Sequence, residues 1–117
     1  MKIETSELEG AALNWTVAKC EGLLAFGYEN HRGLLLATLS TGESEHFNPT
    51  IDWAQGGPII ERERITLDAV DCGETWIAQD FWKEEPEALG PTPLIAAMRC
   101  YVAFKLGNEV DVPDELL

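Results

Sequence analysis

The stretch from Thr92 to Gly107 constrains the fold more than any other part of the chain. Thr92 is a helix-capping residue, and Pro93 suits the first helical position, where a missing N–H costs little. Gly107 is a natural stop. Between them, Leu94 to Leu106 is apolar at helical period and carries two charges, Arg99 and Lys105. A helix apolar around so much of its circumference cannot lie on a surface. It is expected to be largely buried, so the rest of the chain must supply its cover.

That cover is legible in outline. Ser6-Glu7-Leu8-Glu9 has the form of a capping box. Leu8, Ala11, Ala12, Trp15 and Ala18 recur at three- and four-residue steps, and Gly22 suits the position beyond a helix end. This predicts a helix from about Glu7 to Glu21. The apolar runs Leu23 to Tyr28 and Leu34 to Leu39 then predict a hairpin, followed by a polar, mobile loop over Ser40 to Pro49.

Asp52 could cap a helix starting at Trp53, but Gly56-Gly57-Pro58 interrupts it. The cleaner reading starts the helix at Pro58 and runs it through Arg64. Ile65 to Val70 and Thr75 to Trp82 predict a second hairpin around Asp71-Cys72-Gly73-Glu74. In its later strand Trp76, Ala78, Asp80 and Trp82 share one face, and Ile77, Gln79 and Phe81 the other. Lys83 to Gly90 reads as an acidic loop, and the tail from Asn108 folds back through Val110, Val112 and Leu116. The expected architecture is α+β: a small antiparallel sheet of two hairpins covered by about three helices, in the order α-β-β-α-β-β-α, as one domain over residues 1–117.

Composition narrows the partners. There are 21 acidic residues against 8 basic, a formal net charge of −13. Between Asp68 and Gly90 there are seven acids against one lysine. Nucleic-acid backbones are held by Lys and Arg neutralising phosphates, so direct nucleic-acid binding is not expected. No apolar run approaches a membrane span, and Met1-Lys2-Ile3-Glu4 lacks a secretory leader's apolar stretch, which points to a cytoplasm. Cys20, Cys72 and Cys100 are odd in number, widely spaced and set among apolar neighbours, and read as reduced structural thiols.

Chemistry-bearing patterns are sparse. His31, His46 and the cysteines lack zinc-ligand spacing, so no metal and no cofactor is expected. Ser40 or Ser44 with His46 and Asp52 are triad residue types without a nucleophile elbow. The best binding candidate is the Gly56-Gly57-Pro58 turn. Two glycines before a helix let backbone N–H groups approach an anion, Arg62 or Arg64 adds donors, and Trp53 stacks on the ligand. With Gln55 between them, the candidate binding set is Trp53, Gln55, Gly56, Gly57, Arg62 and Arg64; the competing reading is an ordinary tight turn. An exposed Trp76 and Trp82 face would instead mark a homo-oligomer contact.

The blocks Leu8-Glu9-Gly10-Ala11-Ala12-Leu13-Asn14-Trp15, Asp52-Trp53-Ala54-Gln55-Gly56-Gly57-Pro58-Ile59-Ile60-Glu61-Arg62-Glu63 and Gly90-Pro91-Thr92-Pro93-Leu94-Ile95-Ala96-Ala97-Met98-Arg99-Cys100-Tyr101-Val102 resemble the NinX family of lambdoid phages and enteric prophages. The resemblance implies a phage or prophage origin and expression in an infected bacterium. It carries no catalytic or binding residue over. The functional expectation is a phage accessory protein, more a binder than an enzyme, that engages a host or phage protein in the host cytoplasm. Its acidic surface could act as a decoy for a basic host site. The alternative is a small ligand- or nucleotide-binding domain or enzyme using the Gly56-Gly57-Pro58 turn.

Overall fold

The computed structural model describes residues 1–29, 34–38, 44–80 and 87–116 of the 117-residue chain. Among them lie helices α1 (Gly10–Cys20), α2 (Trp53–Glu63) and α3 (Pro93–Leu106). The strands are β1 (Lys2–Glu4), β2 (Leu24–Glu29), β3 (Leu34–Thr38), β4 (Ser44–His46), β5 (Ile65–Val70), β6 (Thr75–Asp80), β7 (Ala88–Gly90) and β8 (Glu109–Asp111). The α+β class and the alternation of helices with hairpins are as the sequence implies. The two hairpins lie in separate sheets, and each takes a third strand, giving the orders β2-β3-β4 and β5-β6-β7. A third, two-stranded sheet joins β1 to β8. All pairings are antiparallel.

Helix α3 is the post. Thr92 Oγ1 accepts from the Ile95 N–H at 3.1 Å, and Leu94, Ala96, Ala97, Met98, Cys100, Tyr101 and Val102 are buried. It packs against β5, β6 and β7 and against both other helices. Its small residues allow close approach: a methyl on Gly90 would stand 2.6 Å from the Ala96 nitrogen, so β7 can lie on α3 only with glycine there. Ala78 and Asp80 are buried while Gln79 is exposed, as the alternation of β6 requires. Trp76 is half-buried and packs against the core, whereas Phe81 and Trp82 lie outside the described residues.

Helix α1 begins at Gly10 rather than Glu7. The expected capping box does not form: Thr5–Glu7 make a short 3-10 turn, and Glu9 is the N-cap without a side-chain bond. Tertiary contacts win here. Thr5 donates its backbone N–H to Asn108 O at 2.8 Å and its hydroxyl to Gly107 O at 2.6 Å, and Leu8 is buried in the core. Gly22, at φ 77°, ends the helix as expected.

The stretch expected to be a mobile loop differs too. Residues 39–43 lie outside the described residues, but Ser44–His46 is strand, and Phe47, Asn48, Pro49 and Thr50 are buried. Asn14 of α1 fixes them from below, donating to Asn48 Oδ1 at 3.3 Å and accepting from the Thr50 N–H at 3.2 Å. Residues 88–90, expected in a loop, form β7 instead.

Candidate functional site

The glycine-proline motif is helix, not turn. Asp52 is the cap: its side chain accepts from the Ala54 N–H at 2.9 Å, and its carbonyl from the Gly56 N–H at 2.8 Å. Helix α2 therefore starts at Trp53, and Gly56, Gly57 and Pro58 lie inside it. The expected start at Pro58 is corrected by five residues, and the anion-binding turn built on it has no such turn beneath it.

Several candidate residues of that motif have a visible structural task. Gln55 accepts from the Asn48 N–H at 2.6 Å and donates to His46 O at 2.7 Å, clamping the buried stretch before α2. Gly56 is buried, and a methyl there would stand 2.6 Å from both Pro49 O and Leu94 Cδ2. A methyl on Gly57 would meet nothing within 4 Å beyond its own helix, but Gly57 precedes a proline in helical conformation, where a side chain would crowd the ring. Arg64 is exposed at the left-handed C-cap, with φ 55°. Trp53 is 54% exposed, beside Ile51 at 68%.

Arg62 is held elsewhere. Its guanidinium forks onto Glu21 at 2.7 and 3.0 Å, donates to Glu63 at 2.8 Å and reaches the Tyr101 hydroxyl at 3.3 Å. Tyr101 donates in turn to Glu21 at 2.5 Å. Burial raises the Glu21 pKa, but the hydrogen bonds from Arg62 and Tyr101 and the Arg62 charge outweigh it and leave it below the ordinary value. Burial and the neighbouring carboxylate push the Tyr101 hydroxyl well up. These groups tie the end of α1 to α2 and α3; the fork is occupied by protein.

Among the described residues no three His, Cys, Asp or Glu side chains gather to hold a metal ion; His31 and Ser40 lie outside that set. Cys20 and Cys100 are raised to about 11 by burial first, with Glu21 and Asp80 respectively adding to it. Cys72 departs from the expected apolar setting: it is exposed, at φ 58° in the β5–β6 connection.

The arrangement with chemical content lies on the other side of α3. A cleft of about 720 Å³ is bounded by the end of β1 and the turn after it, by β7 with its flanking residues, and by Asn108 and Glu109 before and in β8. Glu74 and Thr75 also line it, as do Arg99 and Ala103 of α3. Ala88, Leu89, Pro91 and Ala103 give it apolar surface, and Leu89 is 52% exposed. Four glutamates from four separate segments converge on it: Glu4, Glu74, Glu87 and Glu109.

Two of those acids are set directly against each other. Glu4 and Glu109 are partners in the β1–β8 register, a like-charge juxtaposition that destabilises a strand pair. Lys2 eases it from a distance, 3.9 Å from Glu109. Arg99 does not ease it. Its Nε donates to Leu8 O and its Nη1 to Leu89 O, both at 2.8 Å, and among the described residues it forms no ion pair.

Residues 4–105 match the family described as Bacteriophage P22, NinX. The chain belongs to that family. Membership makes it a phage accessory protein, and the matched span takes in the cleft residues from Glu4 to Ala103. No curated protein matches the chain. Sequence reasoning missed the cleft of this NinX-family chain because its walls come from segments far apart in the chain. Arg99 alone had a local signal, as one of two charges on an otherwise apolar helix.

Proposed function

We propose that this NinX-family protein acts in the cytoplasm of the infected bacterium by binding a protein, and that its cleft receives a basic segment of that partner. The opposed pair of Glu4 and Glu109 carries this reading. Like charges facing each other across a strand pair weaken the free protein, and a cation placed between them relieves the repulsion. Glu74 and Glu87 extend the same field along the cleft, and the apolar surface of Leu89 and Ala103 gives aliphatic stems a place to lie.

The concavity favours reception over imitation. A decoy for a nucleic-acid-binding site has to insert a ridge of carboxylates into a basic groove. Here the carboxylates surround a hollow, which suits an incoming segment. Steering by such a field speeds association and makes it salt-sensitive.

The test removes charge from the cleft without reversing it. Glu4→Gln combined with Glu87→Gln is expected to stabilise the free protein by ~0.2–1 kcal/mol, because a like-charge pair is removed. The same variant is expected to weaken capture of a host protein about tenfold at low salt. Glu61→Gln with Asp68→Asn removes as much charge from residues that do not line the cleft, and should leave capture unchanged. Equal capture by both variants would end this reading.

A further inference from the structure

We propose that Arg99 is the receiving group for the C-terminal carboxylate of the segment that enters the cleft, so that the partner is recognised by a basic tail and its chain end. The inference rests on the reading of the cleft as a site for a basic segment.

Arg99 leaves α3 in the middle of its otherwise apolar course and lines the cleft. Its Nε and Nη1 donate to the main-chain carbonyls of Leu8 and Leu89, one on each flank, which fixes the plane of the guanidinium. The donors of Nη2, and the second N–H of Nη1, form no bond with described residues. Those two nitrogens make up the edge that takes a carboxylate in bidentate fashion.

Among the described residues the charge also has no ion-pair partner at contact distance. Carbonyl oxygens satisfy donors but bring no negative charge, and burial pulls the Arg99 pKa down with the Glu9 charge only partly offsetting it. In a chain with 21 acids, an arginine half withdrawn from water with no ion pair among the described residues is out of pattern. A carboxylate arriving with the occupant completes it.

The chain end is the source that fits both halves of the cleft. An internal Asp or Glu would subtract from the positive charge that the four glutamates select. A terminal carboxylate comes without loss of a basic side chain. The volume, about 720 Å³, falls in the range that encloses a short stretch rather than a long traverse.

Two pools of hexapeptides provide the probe, with lysine at the second and fourth positions and all other positions randomised. One pool carries free C-terminal acids and the other C-terminal amides. Without Arg99 the amide pool, being more positive, should bind better. With Arg99 acting as proposed, the wild-type protein retains the free-acid pool about tenfold more strongly. Arg99→Lys, which keeps the charge but loses the fork, should abolish that preference, and Arg99→Gln should reverse it.

Stronger retention of amides by the wild type would overturn the role of Arg99 and leave the cleft reading standing. Retention from the amide pool confined to peptides containing Asp or Glu would overturn the chain-end assignment in favour of a side chain. Retention of neither pool, or retention indifferent to Glu4→Gln/Glu87→Gln, would overturn both. Thermal melts of the Arg99 variants show whether a lost preference comes from a folded protein.

Discussion

Gly56, Gly57 and Pro58 are adjacent in α2 and answer to different constraints. Gly56 is required by its neighbours in space, Pro49 and Leu94, and Gly57 by its neighbour in sequence. Pro58 removes one N–H from the helix interior, so the Ala54 carbonyl lacks its usual donor. Gly56→Ala should therefore cost ~1–3 kcal/mol in urea unfolding, since backbone must shift to admit the methyl. Gly57→Ala should gain ~0.5–1 kcal/mol only when Pro58→Ala is also present, because the pre-proline clash has then gone. Equal effects of Gly57→Ala in both backgrounds would show that Pro58 is not what selects glycine. The sequence displays this triplet plainly, yet its usual meaning of turn followed by helix start is wrong here. The Asp52 cap starts the helix five residues earlier, at Trp53, and the packing of Gly56 holds a helix that local propensity would break.

At the scale of elements, α1, α2 and α3 meet through Glu21, Arg62 and Tyr101. The folded Glu21 pKa lies below its ordinary value of 4.5. A depressed carboxylate contributes stability that is present above the unfolded pKa and lost as pH falls through the folded one. Glu21→Gln should therefore lower Tm at pH 7, and its deficit relative to wild type should shrink as pH falls below about 4. A deficit independent of pH would mean that Glu21 acts by packing alone. The elements themselves were legible to different degrees. Helix α3 could be read to the residue because Thr92, Pro93 and Gly107 act locally and agree with its apolar core. The start of α1 could not, because Thr5 is committed to the end of α3, more than a hundred positions away in sequence. Strands β1, β4, β7 and β8 are each three residues long, too short for alternation to register.

Over the whole molecule, the charge was legible and its placement was not. The −13 total follows from composition, while the convergence of Glu4, Glu74, Glu87 and Glu109 around Arg99 exists only after folding. The two facts make salt act in opposite directions on two measurable quantities. Self-repulsion at this net charge weakens the compact state, so screening it from about 20 to 300 mM NaCl should raise Tm by ~2–5 °C. The same screening shields the cleft carboxylates from a basic segment and should weaken its binding by about tenfold or more. Glu4→Gln/Glu87→Gln ought to flatten the second dependence while leaving the first nearly as steep, since it changes a small part of the total charge but half of the cleft's glutamates. If Tm instead falls with salt, local ion pairs such as Arg62 with Glu21 outweigh global repulsion, and the acidic surface is not a strain on the fold. If binding tightens with salt, contact is made through apolar surface, and the exposed Ile51 and Trp53 at the head of α2 become the better place to look.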